Sequence, residues 1–350
     1  MIGWITSFIL AAAPGPIVVG AAVSPGAEYA KGLLLWQDEI NAAGGLLGRQ
    51  VELRLLDDKG ETMRTGTLYG ELIREHKVEL LIGPYGSAAT LLAAAEAERA
   101  QRVLINGAGP ARAVHRRARK FVFQSVAPYA SYGEGILELA ARAGCRSLHI
   151  AGGEDAGSAE MAEATAAAAR RRGFELRGAG QEAQGWIVFG EAHGARDTML
   201  ALKREKVAPR FLFYSAASQP RFVDLIGGEA EGALGVARYD ARLASPANQR
   251  FVKAFEGKWS ASPGTAAAEG YTAASVLAAG VRRAGSLEQD KLRAALAALQ
   301  TDTVLGAYKV DPASGAQVGI KPAVTQVVER RPEIVWAPGA QTAGASFKCQ

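Results

Sequence analysis

Short apolar runs alternate with helix-length amphipathic segments along most of this chain. Residues 16–23 are apolar throughout, which is typical of a strand covered on both faces of its sheet. Residues 28–43 place Leu33, Trp36 and Ile40 at helical spacing and end at a pair of glycines, so they predict a helix. Apolar and polar residues then alternate over 51–56, which indicates a second strand.

The same alternation continues toward the C-terminus and restarts after residues 121–125. The further helices are predicted near 61–76, 88–100, 131–143, 158–172, 195–206, 246–259, 265–284 and 288–299. The further strands are predicted at 78–83, 102–106, 146–151, 186–189, 210–214 and 233–239, with a β-rich stretch at 303–336. Regular strand–helix alternation indicates parallel sheets with right-handed crossovers. We therefore predict an α/β protein of two units, with some helices between 246 and 299 that belong to neither unit cleanly.

The first 27 residues carry no charged side chain, and residues 1–13 form an apolar run that ends in three alanines. A membrane-spanning helix needs about 20 apolar residues, whereas the apolar core of an export signal is shorter. We expect an export signal cleaved after Ala13, although the basic residues that usually precede such a core are missing. The alternative is a buried first strand that follows an irregular start.

Composition narrows the class of protein. The chain has 350 residues, 49% of them hydrophobic, and a formal net charge of +5. These values exclude a disordered chain, and the charge is too mild to indicate nucleic-acid binding. The two cysteines leave alternatives open, because Cys145 and Cys349 could be a buried thiol and an exposed tail residue or a single bridge.

Signatures of catalysis are absent from the sequence. It contains no GxxxxGK[ST], HExxH or GxSxG motif, and its four histidines stand far apart, so we expect no enzyme, no cofactor and no metal site. Residues 107–112 follow a strand and weakly match a dinucleotide fingerprint, but Arg112 stands where a third glycine is needed. We expect a tight turn there, with ligand contact by its backbone N–H groups as the alternative. The basic run 112–120 is interpreted as a solvated surface, with an acidic partner as the alternative.

Several segments together resemble the substrate-binding proteins of ABC importers, in particular the branched-chain amino acid (Leu/Ile/Val-binding) family. They are WQDEINAAGGLLG (36–48), QVELRLLDD (50–58), LIGPYGSAAT (81–90), FVFQSVAPYASY (121–132), EGYTAASVLAAGVRRA (269–284) and TVLGAYKVDPASG (303–315). The resemblance covers essentially everything after the export signal.

The resemblance implies a type I periplasmic binding fold, in which two Rossmann-like lobes with parallel central sheets are joined by a three-strand hinge. Residues 14–124 with about 242–302 would form the first lobe, 125–241 with about 303–340 the second, and 341–350 a tail. It further implies a periplasmic, monomeric protein that captures a small polar metabolite, such as an amino acid, for an ABC transporter permease.

In open α/β sheets, ligands bind beyond the carboxyl ends of the strands, and a helix N-terminus can hold a carboxylate. In the first lobe we therefore expect hydroxyl, backbone N–H and aromatic contacts with the ligand. They would come from the loops at 83–90 and 107–109 and from the end of the hinge-like segment 121–132. The candidates are Tyr85, Ser87, Ala88, Thr90, Asn106, Gly107, Ala108, Gly109 and Tyr132.

The second lobe departs from the family pattern. The family's ligand-stacking tyrosine is missing from residues 154–157, and the acidic partner for an ammonium group is missing after Tyr214, where Ser215 stands near its place. We expect Glu191 or Asp155 to replace that carboxylate, with His193 nearby, or the ligand to differ from a standard α-amino acid.

Two other functions fit fewer of these features. A protein of the same fold could sense a ligand for a regulator or receptor instead of a permease. An enzyme could use the 107–109 loop to bind a nucleotide such as NAD or FAD.

Overall fold

The computed structural model describes residues 15–116, 119–178, 180–204, 207–339, 342 and 344–349. The predicted export signal and its cleavage after Ala13 lie outside these residues. No helix in the described ranges is both long enough and apolar enough to cross a membrane.

The first sheet has five parallel strands and is formed by the N-terminal part of the chain. Its elements are β1 (Ile17–Ala22), α1 (Glu28–Ala42), β2 (Val51–Leu56), α2 (Thr65–Arg74), β3 (Leu80–Ile82), α3 (Ser87–Arg99), β4 (Leu104–Asn106) and β5 (Val122–Gln124). The strand order is β2-β1-β3-β4-β5. In β1, Ile17, Val19 and Ala21 pack into one core cluster and Ala22 into another. This two-sided burial explains why the first strand is apolar throughout.

The second sheet has seven strands. Its first elements are α4 (Glu134–Arg142), β6 (Ser147–Gly152), α5 (Ala156–Arg171), β7 (Glu175–Leu176), β8 (Gly185–Phe189), α6 (Ala192–Arg204), β9 (Phe211–Tyr214), α7 (Pro220–Ile226) and β10 (Leu234–Ala237). The short β7 and α7 were not predicted from the sequence, because neither is long enough to show a clear period.

The rest of the chain contributes to both sheets. It comprises α8 (Pro246–Trp259), α9 (Thr265–Ala284), α10 (Gln289–Ala297), β11 (Thr301–Thr303), β12 (Gly306–Tyr308), β13 (Ala323–Val328) and β14 (Arg331–Trp336). Strands β13 and β14 join the second sheet antiparallel, in the order β14-β13-β10-β9-β8-β6-β7. Helices α9 and α10 pack on the first sheet through Leu277, Val281 and Leu292. The helices that the sequence left unassigned therefore include two that cover the first sheet.

We call the part built on the first sheet the first lobe and the part built on the second sheet the second lobe. The chain passes between them after β5, after β10 and after β12. The first and third of these crossings lie side by side, since Gln124 N donates to Gly315 O over 2.9 Å and Gln317 N donates to Gln124 Oε1 over 3.1 Å. The residue boundaries of the lobes stay a prediction.

Cys145 and Cys349 form a disulfide bond, which resolves the alternatives that the sequence left open. The bond attaches the C-terminal tail to the second lobe. Phe347 packs on Phe211 with ring centroids 4.4 Å apart, and Cys349 N donates to Ala143 O over 3.1 Å. The tail is therefore part of the second lobe's packing.

Candidate functional site

The carboxyl ends of the strands of both sheets border a cleft between the lobes, which is where open α/β sheets bind ligands. The lobes touch across this cleft. Arg112 N donates to Glu160 Oε1 over 2.9 Å, and Arg112 Nη2 donates to Glu163 Oε2 over 2.6 Å. The first residues of the basic run thus connect the loop after β4 to α5 of the opposite lobe.

The N-terminus of α3 presents backbone donors to the cleft. Gly86 precedes the helix with φ +91°, no side chain caps it, and its first turn contains no acidic residue. Among the described residues, no acceptor takes the N–H groups of Ser87, Ala88 or Ala89. Ala88 is exposed and Ser87 is half-buried. This helix end can therefore hold an anion.

Two hydroxyls of this helix have different roles. Ser87 Oγ accepts from Ala111 N over 3.1 Å, and no described acceptor takes its own proton. Thr90 is fully buried, and its Oγ1 donates to Gly86 O over 2.8 Å. Ser87 can therefore donate to a ligand. The Thr90 hydroxyl already bonds to the residue before its own helix, and a ligand contact from Thr90 stays a prediction.

The loop after β4 is held by Asn106, which is fully buried. Its Oδ1 accepts from Gly109 N over 2.7 Å, and its Nδ2 donates to Gly109 O over 2.8 Å and lies 3.1 Å from His115 Nε2. Burial lowers the pKa of His115 to about 4, so this ring is neutral at pH 7. Asn106 and the Gly109 N–H bond to each other, and direct ligand contacts from them stay a prediction.

Gly107 and Ala108 pack inside the first lobe. A Cβ atom on Gly107 would lie 2.1 Å from Tyr29 Oη, so only glycine fits there. Ala108 is 2% exposed, and its carbonyl accepts from Gly86 N over 3.2 Å. These residues position the start of α3, which is an indirect role in the site.

A cavity of about 380 Å³ opens beside Tyr85 in the first lobe. It lies where β1 separates β2 from β3, the point at which the strand order reverses. Tyr85 is 44% exposed and contacts the Tyr29 ring edge-on, with centroids 5.9 Å apart. Tyr85 therefore borders a space large enough for a small side chain, and its contact with a ligand stays a prediction.

Tyr132 and Tyr129 follow the first crossing. Tyr132 is 5% exposed and packs edge-on against Tyr129, with centroids 5.3 Å apart. Burial raises the pKa of the half-buried Tyr129, and the charges that act on it belong to Arg238, Asp155, Glu160 and Glu191. Tyr129 thus marks the middle of the cleft, while Tyr132 supports it from beneath.

The second lobe offers a free carboxylate at Glu191. Asp155 Oδ1 accepts from Ser158 N over 2.8 Å and caps α5, and these hydrogen bonds lower the pKa of Asp155. Ser215 Oγ accepts from Gly190 N over 2.9 Å and donates to Gly190 O over 3.0 Å. Glu191 and His193 are exposed, and their side chains have no hydrogen-bond partner among the described residues. Of the two carboxylates predicted to receive an ammonium group, Glu191 is the available one.

Arg238 was missed by sequence reasoning. The strand predicted over 233–239 ends at Ala237 in β10, so Arg238 lies at a strand's carboxyl end. Its Nη1 forms an ion pair with Glu269 Oε1 at 3.0 Å, and its Nη2 donates to Tyr85 Oη over 3.2 Å. Arg238 also borders a cavity of about 750 Å³ on the hinge side. The sequence held one signal for this ion pair: Glu269 is a charged residue in the otherwise uncharged first turns of α9.

Glu269 is buried, with only 2% of its surface exposed. Burial raises its pKa to about 7, against the opposing attraction of Arg238, and its Oε2 has no hydrogen-bond partner. Burial acts to lower the pKa of Arg238. The neighbouring Glu269 and the hydroxyls of Tyr132 and Tyr85 outweigh burial, so the pKa of Arg238 is raised. The guanidinium therefore remains charged at every ordinary pH.

No three His, Cys, Asp or Glu side chains in the described part of the chain come together as a metal site. Two α/β lobes, connected by adjacent crossings and facing each other through their strand ends, define a two-lobed binding protein. The family model described as periplasmic binding protein matches residues 18–184 and 196–331. The chain belongs to this family, which confirms the predicted family and fold class.

Solved structures share this architecture. A putative branched-chain amino acid ABC transporter from Silicibacter pomeroyi is 18% identical with a TM-score of 0.82, over 95% of this chain and 99% of that chain. An ABC transporter substrate-binding protein from Desulfitobacterium hafniense in complex with Leu is 21% identical, with a TM-score of 0.76, over 91% and 99%. A solute-binding protein from R. palustris in complex with benzoate is 19% identical, with a TM-score of 0.70, over 96% and 100%. At these identities the likeness shows the shared fold.

Proposed function

We propose that this protein captures a small carboxylate-bearing solute, amino-acid-like in its charges, and delivers it to an ABC transporter permease. The N-terminus of α3 carries this proposal, because it presents backbone N–H groups without acceptors and has no acidic residue in its first turn. Two of the similar structures are complexes with leucine and with benzoate, which both carry a carboxylate.

The solute's charges have matching groups on opposite sides of the cleft. In the first lobe, α3 and the Ser87 hydroxyl would receive the carboxylate. In the second lobe, Glu191 would receive an ammonium group. A solute that contacts both lobes binds the closed arrangement better than an open one, and this difference drives closure. Tyr85 and Tyr129 would line the space between.

Export supports the same function. A signal cleaved after Ala13 would release the chain into the periplasm, where the family resides. The disulfide between Cys145 and Cys349 is compatible with an oxidising compartment. We propose that the mature protein is monomeric and meets its permease partner at the membrane surface.

Calorimetric titration with a panel of amino acids, their amides and simple organic acids tests this proposal. Ser87→Ala should weaken binding of every carboxylate by about tenfold, because one charge-assisted hydrogen bond is lost. Glu191→Gln should weaken only solutes that carry an ammonium group. Glu138→Gln is the matched control, since this exposed carboxylate lies on α4 and pairs with Arg142. A folded protein that binds nothing in the panel would contradict the proposal.

A further inference from the structure

Arg238 connects the lobes at the base of the cleft. It follows the last residue of β10 and reaches Tyr85 in the loop after β3 and Glu269 on α9. Its charge also acts on Tyr129, which is surrounded by the carboxylates of the second lobe. Arg238 is therefore a cationic group next to the space in which a solute would lie.

The guanidinium retains donors for a ligand. Arginine has five N–H donors, and the ion pair with Glu269 and the bond to Tyr85 use only part of them. About a third of the side chain is still exposed, at 33%, whereas Glu269 is 2% exposed. Glu269 is thus a positioning residue, which holds Nη1 of the guanidinium and leaves other donors of the partly exposed side chain unused.

Tyr85 extends this donor set. Its hydroxyl oxygen accepts from Arg238 Nη2, so its own proton remains available to donate to a ligand. With 44% of its surface exposed, Tyr85 stands at the wall of the cavity in the first lobe. A guanidinium and a hydrogen-bonded phenol that both retain donors suit a carboxylate.

An alkyl side chain would be a poor occupant of this place. Covering the free edge of Arg238 with methyl groups would remove its water without replacing the lost hydrogen bonds, which is unfavourable. Since α3 already provides for one carboxylate and Glu191 for an ammonium group, the donors of Arg238 and Tyr85 remain for a further acceptor on the solute.

We infer that the solute carries a second carboxylate, as an acidic amino acid or a related dicarboxylate does, and that Arg238 and Tyr85 bind this group. The inference rests on the proposed function and specifies the solute class at the same site. It distinguishes this chain from a binder of branched aliphatic amino acids, whose side chains offer no acceptor.

Matched solutes of nearly equal shape provide the test. Calorimetry on the full chain should show tighter binding of glutamate than glutamine, or of aspartate than asparagine, by about 10- to 100-fold, because hydrogen bonds to charged groups are the strong ones. Leucine should bind more weakly than the preferred acid. Equal or tighter binding of leucine or of the amide would overturn the inference and leave the proposed function standing. No binding of any of these solutes would overturn both.

Variants assign the preference to its residues. Arg238→Gln should abolish the preference for the acid, so that acid and amide bind with about equal affinity. The affinity for the amide should stay as in the wild type. Tyr85→Phe should lower acid affinity by roughly fivefold and leave the amide unchanged, and this exposed residue can be replaced without disturbing the core. Arg242→Gln is the matched control, because it lies on the same crossing and its side chain is 50% exposed. An unchanged preference in Tyr85→Phe and in folded Arg238→Gln would overturn the assignment.

Discussion

Replacing Glu269 with glutamine should remove a pH dependence of stability that its burial creates. The pKa of this carboxyl is raised from 4.5 to about 7 in the folded protein. The folded state therefore holds the proton more tightly than the unfolded chain, and ionisation of Glu269 opposes folding. Its contribution to stability is fully present below about pH 4.5, is lost as the pH rises to about 7, and changes little above that value.

The magnitude follows from the size of the shift. Each pKa unit corresponds to about 1.4 kcal/mol, so a shift from 4.5 to about 7 amounts to about 3 kcal/mol in the free energy of unfolding. Glutamine has nearly the same shape and no titrating proton. The stability difference, wild type minus Glu269→Gln, should therefore fall by about 3 kcal/mol between pH 4.5 and 7.5.

Urea unfolding followed by circular dichroism at several pH values measures this difference. Other titrating groups are common to both proteins and cancel in the subtraction. Glu138→Gln, on the surface of α4, is the control for replacing an exposed carboxylate by an amide. A difference that is flat for Glu269→Gln, or that rises with pH, would show that attraction to Arg238 outweighs burial and would refute the reasoning.

Three further predictions concern packing, the tail and the contact between the lobes. Gly107→Ala should lower the free energy of unfolding by about 1–3 kcal/mol in urea titrations, because the new methyl group would lie 2.1 Å from Tyr29 Oη; unchanged stability would contradict this contact. Cys349→Ser should lower stability by up to about 5 kcal/mol, because the bond closes a loop with a sequence separation of 204; wild-type protein that melts identically with and without reductant would speak against the bond. Glu163→Ala should change solute affinity at most about fivefold in calorimetry, since its ion pair with Arg112 is exposed, and a larger loss would assign the pair a greater role in closure.

The sheets could be predicted because their signals are local. Strand β1 is apolar on both faces, and α1 repeats its apolar residues at helical spacing, so neither needed knowledge of distant contacts. The export signal and the lobe boundaries stay predictions. The pairing of Cys145 with Cys349 could not be derived, because it depends on how α4 and the tail meet in space.

Site residues were harder to predict, because a polar residue at a strand end can bond inward or outward. Asn106 ends a predicted strand and Thr90 stands near the predicted start of a helix, yet their polar atoms bond to their own loop and helix. Asp155 likewise caps α5. The sequence pattern predicts where a strand ends. The direction in which a polar side chain points there depends on which nearby backbone groups lack a hydrogen-bond partner, and the pattern does not show this.

The start of α3 differs from the starts of α1, α5 and α6 in the charge beside it. Helix α1 has Glu28 in its first turn, α5 is capped by Asp155, and α6 directly follows Glu191, so each begins beside a carboxylate of the chain. Helix α3 begins after Gly86 and has no acidic residue in its first turn. A bound carboxylate would therefore place beside the start of α3 the negative charge that these three helices have from the chain itself. Because that anion arrives with the solute, capping of α3 and closure onto Glu191 would occur in the same binding event, which couples recognition to the lobe movement.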